Sequence, residues 1–137
     1  MIPEALKVGD ALPSLEKAMT QDIIDAWADV SGDRNPLHVD PEYARTTRYG
    51  GTIAHGHIAL SYLCQLMQEW AGPVWMRGGR LVDIKFISPI RPDRTYRIGG
   101  EIAVISDQEV GVKLHIRDTS DGRDCIDGTA VCPRRSH

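Results

Sequence analysis

The run Asp33-Arg34-Asn35-Pro36-Leu37-His38-Val39-Asp40 sets a carboxylate and an imidazole five positions apart, and Ala54-His55-Gly56-His57 follows at the head of an apolar stretch. A carboxylate and an imidazole in reach of one another act as general base and general acid, and the pair can hold one water between them. Proline after Asn35 disfavours α backbone at Asn35, so Asp33 and His38 leave one stiff, bent loop that Asn35 and Pro36 shape. Gly56 reads as the first turn of a helix, where backbone N–H groups have no partner inside the helix. Such a donor, helped by the helix dipole, stabilises an oxyanion or enolate. Acid, base and anion site together are the parts needed for chemistry beside a carbonyl. On local grounds alone, Asp33 also reads as a turn cap and Gly56 as a packing glycine. His55 is expected to orient the loop or bond a backbone carbonyl, and His57 to be structural.

Other chemistries fit less well. His38 with Asp40, and His55 with His57, are acceptable metal-ligand types. Residues after His57 have a helical pattern, however, and side chains two apart on a helix diverge. No metal is expected. Ser61 lies on a thin polar strip, with no G-x-S-x-G around it, so it is no nucleophile. Its hydroxyl either bonds back to the preceding turn or faces a substrate channel. Cys64, Cys125 and Cys132 form no C-x-x-C pair and are odd in number, which points to reduced thiols in a cytosolic protein. Arg77, Arg80, Arg91 and Arg94 cluster in sequence, either as solvated surface or facing a nucleotide phosphate.

The elements that must hold these residues follow from periodicity. A short edge strand is expected around Ser14–Met19. Thr20 caps a helix with Ile23, Ile24, Trp27 and Val30 at helical spacing, ended by Gly32. Asp40-Pro41 opens a second short helix through about Thr47, and residues 48–54 form a loop. From His55 to about Ala71 the chain is apolar nearly all round, the mark of a helix buried on most sides; Gly72-Pro73 ends it. Strands come next. Val82, Ile84 and Phe86 alternate with polar residues. Tyr96, Ile98, Ile102 and Val104 share one parity, with Gly99-Gly100 a plausible bulge. Val110 to Ile116 alternates cleanly, Asp121-Gly122 is a hairpin turn, and Arg123–Cys132 is a last strand. The compact solution is α+β, an antiparallel sheet curved around the buried helix.

A chain of 137 residues fits one domain over 1–137, with a composition that excludes disorder. A net charge of -3 gives no support for nucleic-acid or anionic-membrane binding. No secretion signal opens the chain, and no apolar stretch reaches membrane-spanning length.

The run from Asp33 to Asp40, then Tyr43-Ala44, then Ile53-Ala54-His55-Gly56, resembles the signature of the MaoC-like, R-specific enoyl-CoA hydratases, and a weaker likeness continues through Phe86-Ile87-Ser88-Pro89 and Arg91-Pro92-Asp93. The resemblance covers about residues 10–133. It implies a single hot dog fold and a homodimer, or dimer of dimers, with sheets joined edge to edge and active sites near the interface. It implies reversible hydration of a trans-2-enoyl-CoA to the (R)-3-hydroxyacyl-CoA without metal or organic cofactor. Asp33 and His38 then take the catalytic pair and the Gly56 N–H the thioester oxygen, with Asn35, His55 and Ser61 about the substrate. His57 departs from the apolar residue usual after that glycine, and Arg94 stands near a turn often built differently; both bear on acyl specificity. Other readings are a dehydratase acting on acyl carrier protein thioesters, a non-catalytic thioester-binding protein, and a hot dog thioesterase. The last usually has an acidic residue on its central helix, where this chain offers only Glu69 near the far end.

Overall fold

The computed structural model describes residues 2–134. Strand β1 (Leu15–Met19) leads into helix α1 (Gln21–Ser31), the one-turn helix α2 (Pro36–Val39) and the short α3 (Pro41–Arg45). The long α4 (Gly56–Ala71) and short α5 (Pro73–Gly78) follow, then β2 (Arg80–Phe86), β3 (Arg94–Ile105), β4 (Glu109–Asp118) and β5 (Asp124–Pro133). All five strands pair antiparallel in the order β1-β3-β4-β5-β2.

The sheet's concave face packs on α4. Ile58, Ala59, Leu63, Leu66, Met67 and Ala71 are the buried side of that helix, and they meet Ile98, Ile102, Val112, Leu114 and Ile116 from β3 and β4 in one core. Clean alternation in β4 buries Val110, Val112, Leu114 and Ile116 together, since period two puts them on one face. This is the hot dog arrangement, a sheet wrapped around a central helix.

Local chemistry sets the ends of the elements near the site. The Thr20 hydroxyl accepts from Ile23 N–H at 3.2 Å, and Gly32 closes α1 in the left-handed conformation at φ 78°. Asp40 caps α3 by accepting from Glu42 and Tyr43 N–H.

Three expectations are corrected, and a fourth, the end of the long helix, is borne out and extended. The segment after Asn35 is a helical turn rather than only a bent loop, because the Asn35 carbonyl group of the side chain accepts from Leu37 N–H at 3.0 Å and Pro36 is pre-set for the first helical position. In α1, Ile24 and Ala28 are buried while Val30 is 84% exposed, because only one narrow line of this helix touches the core. Gly72-Pro73 does end α4, but Pro73 also starts α5, whose Trp75 is buried. The bulge of β3 falls between Ile102 and Val104, not at Gly99-Gly100. The extra residue inverts the alternation, so Val104 is exposed and Ile105 packs on the core. Gly99 is needed for space: a Cβ there would stand 2.7 Å from the His115 ring.

Candidate active site

Four short segments bring the site together: the turn from Ser31 to Val39, the loop 48–54, the N-terminus of α4, and the stretch from Phe86 to Ile90. Asp33, His38 and His55 converge, each offering one ligand atom within 4.8 Å of the others. The His38 and His55 rings stack with centroids 3.9 Å apart and planes at 27°.

Backbone carbonyls settle the tautomers. His38 Nδ1 lies 2.7 Å from the Ile53 carbonyl oxygen, and an oxygen can only accept, so Nδ1 carries a hydrogen and donates it. The working atom of His38 is therefore Nε2. By the same reasoning His55 Nε2–H donates to the Asp33 carbonyl at 2.9 Å. His55 Nδ1 is left as a buried nitrogen without a partner, on a residue 2% exposed. The role expected of His55, to orient the loop through a carbonyl, matches this bond: it pins the backbone of Asp33 and so aims the carboxylate.

Asp33 itself is exposed, and among the described residues its only side-chain bond is from Asn35 N–H to Oδ1 at 3.2 Å. Its second oxygen is free to face a water. Ile53 N–H donates to the Leu37 carbonyl at 3.3 Å, and Gln21 Nε2–H donates to the His38 carbonyl at 2.8 Å. Gln21 in turn accepts from the buried Thr52 hydroxyl at 2.6 Å. Gln21 and Thr52 were not legible in the sequence, because nothing in either local pattern says that residues 31 apart will meet.

Gly56 is the first residue of α4, and the capping residue His55 makes no side-chain bond to the helix. The Gly56 N–H stands at the positive end of the helix and has no partner among the described residues. His38, His55 and Gly56 line a cavity of about 440 Å³ together with Tyr49, Phe86 and Ile126. A Cβ on Gly56 would stand 3.2 Å from the Phe86 ring, so glycine lets that ring cover the helix start. Arg48 lies over the Tyr49 ring and donates to its hydroxyl at 2.7 Å at the same cavity. Asp33 stands outside the lining, at the exposed edge next to His38.

Ser61 does not line this cavity. Its hydroxyl donates to the Ile58 carbonyl at 2.6 Å, the bond back to the preceding turn. His57 is exposed and is not in the convergent group, and Asp40 is occupied as a cap, so among the described residues neither H-x-D nor H-x-H forms a ligand set. The donors that do converge include two rings that each have one nitrogen engaged with a carbonyl. The remaining carboxylate and ring lone pairs suit a water or a small cation. Burial pushes the Cys125 thiol up, and that of Cys132 up to about 11, as expected of inert core thiols.

Comparison with known proteins adds three relatives. The chain is 41% identical over 51 residues to 3-hydroxyacyl-thioester dehydratase Z of Mycobacterium tuberculosis, a match covering 37% of this chain and 34% of that protein. It thus spans about a third of that relative's length. It is 28% identical over 131 residues to the (R)-specific enoyl-CoA hydratase of Rhodospirillum rubrum, covering 93% of this chain and 88% of that one. Among solved structures it is similar to an (R)-hydratase from A. caviae involved in PHA biosynthesis, with a TM-score of 0.80, 25% identity, and coverage of 95% and 98%. The family model of the MaoC like domain matches residues 7–122, which hold the whole convergent cluster and most of the sheet. The chain belongs to the MaoC-like domain family.

Proposed function

We propose that this protein is a hydro-lyase that adds water reversibly to a trans-2-enoyl-CoA thioester to give the (R)-3-hydroxyacyl-CoA. The observation that carries the proposal is the convergence of Asp33 and His38 at the edge of the cavity that His38 lines together with Gly56. A water between them loses a proton to Asp33 as its oxygen attacks C3. His38, carrying a hydrogen on both ring nitrogens for this step, delivers the one on Nε2 to C2 from the same face and is left as the Nδ1–H tautomer; the proton taken up by Asp33 then returns to Nε2 and closes the cycle. The Gly56 N–H meets the charge that develops on the thioester oxygen. One such donor is worth roughly 3 kcal/mol, and acid–base positioning about 10²–10⁴-fold.

Asn35 supports the pair by capping α2, and His55 by holding the Asp33 backbone. No organic or metal cofactor has a part in this scheme. A homodimer is favoured by the paired exposure of Phe86 and Ile87 at the cavity, next to the edge strand β2. A reducing compartment such as the cytosol suits three free cysteines, two of them buried. No helix among the described residues is long and apolar enough to cross a membrane.

Thioester hydrolysis is disfavoured because Glu69, the acid on α4, is exposed and accepts from Gln65, far from Gly56. The test is loss of enoyl absorbance with crotonyl-CoA and longer or branched enoyl-CoAs, with the chirality of the product determined. Release of free CoA instead of hydration, or an (S)-product, refutes the proposal.

A further inference from the structure

A second concavity, of about 340 Å³, lies directly behind the wall of the first. Tyr49 and Ile53 line the first cavity while Gly50, Gly51 and Thr52 between them line the second; Ile90 lines the first and Arg91 the second. The Ala54 N–H donates to the Ile90 carbonyl at 2.7 Å and ties the two segments into one wall. Since neighbouring Cα atoms are about 3.8 Å apart, a single thickness of backbone separates the two spaces.

The second cavity is cationic. Arg45 from the last turn of α3, Arg91, and Arg94 at the start of β3 all line it, and no carboxylate does, although the chain has 19 acidic residues against 16 basic. Arg94 is paired with Asp118 at 2.7 Å. Arg45 and Arg91 have no ion pair among the described residues. Like charges gathered without a counter-charge repel, and a bound anion removes that repulsion. Guanidinium groups present forked donors that match phosphate oxygens. The loop side is bare backbone: Gly50 has φ 67°, and a Cβ on Gly51 would stand 3.8 Å from Arg91 Nη1. A bulky anion can therefore approach Arg91 over the glycines.

We infer that Arg45, Arg91 and Arg94 form the seat for the phosphate groups of coenzyme A, whose pantetheine arm crosses the 50–52 segment to reach the acyl cavity. The inference rests on the thioester reading for the direction of that arm. Two unpaired guanidinium groups and a third shared with Asp118 suit the several charges of a nucleotide diphosphate with a further phosphate. The single phosphodiester of an acyl carrier protein would leave them under-compensated.

The test is calorimetric titration of the full chain with CoA and with pantetheine, for wild type and for Arg45→Ala/Arg91→Ala. The double variant keeps the Arg91 backbone bond to the Tyr96 hydroxyl, and its melting temperature checks the fold. Each lost charge-assisted bond predicts a rise in the CoA Kd of roughly tenfold or more. The salt dependence of CoA binding should fall with it, and Arg45→Lys/Arg91→Lys should recover part of the affinity. A CoA Kd within twofold of wild type overturns the inference. So does an equal loss for pantetheine. Absence of hydration by the wild type would refute the proposed activity, while the titration, which needs no turnover, would still decide the arginines.

Discussion

Replacing Asp33 by asparagine separates chemistry from folding. The side chain is exposed, and among the described residues its one hydrogen bond is accepted from the Asn35 N–H at 3.2 Å. An amide oxygen of the same shape can keep that bond, and the His55 bond goes to the Asp33 backbone, which the substitution leaves alone. Stability should therefore change by no more than about 0.5 kcal/mol, the usual range for an exposed site. The carboxylate, by contrast, is the proposed base. Its removal should lower kcat by about 10²–10⁴-fold, or roughly 3–5 kcal/mol in the barrier. Following enoyl absorbance with crotonyl-CoA in parallel with thermal melting gives both quantities on one preparation. A variant that melts with the wild type and turns over within a factor of about three would refute the role of Asp33. A large drop in melting temperature would instead refute the claim that an amide keeps the bond from the Asn35 N–H.

Further outcomes follow from the same geometry. His55→Ala removes a buried ring and its bond to the Asp33 carbonyl, so it should destabilise by about 2–4 kcal/mol and lower turnover, measured by denaturant melts and initial rates. Gly56→Ala should lower kcat/KM by roughly thirtyfold, the equivalent of about 2 kcal/mol in the middle of the range for overpacking, through contact with the Phe86 ring; Gly56→Ala/Phe86→Ala should recover part of it, and no recovery would place the clash elsewhere. Burial raises the Asp118 carboxyl, but the hydrogen bonds from Ser120 and Arg94 outweigh it and hold the group below its ordinary value. A lowered folded value means stability present above the unfolded value of about 4 and lost as pH falls below it, so Asp118→Asn should flatten the acid limb of a stability–pH curve. Dialysis against EDTA should leave hydration unchanged; a loss restored by zinc would show that Asp33, His38 and His55 hold an ion.

Much of the fold was legible because its strongest signals are periodic within one element. The apolar run from Ile58 to Ala71 specified a buried helix, and the alternation from Val110 to Ile116 a strand with one inward face. Caps at Thr20 and Asp40 and the left-handed Gly32 set boundaries through short-range bonds that a few residues dictate. Where a single inserted residue changed the phase, as between Ile102 and Val104, parity misled: the backbone bulge depends on the partner strand and leaves no mark of its own.

The residue types around the site, with Asn35-Pro36 to bend the chain and Gly56 to open a helix, are determined by the sequence itself, since turn chemistry and helix ends act over three or four positions. Only the tertiary structure decided that His55 holds the Asp33 backbone and that Gln21 and Thr52 brace His38. It also decided that Phe86 covers Gly56 and that Arg45 joins Arg91 and Arg94 in one cavity. Those contacts join residues 17 to 49 positions apart, and which of them meet is set by how the sheet closes on the helix, a consequence of total burial that no local pattern encodes.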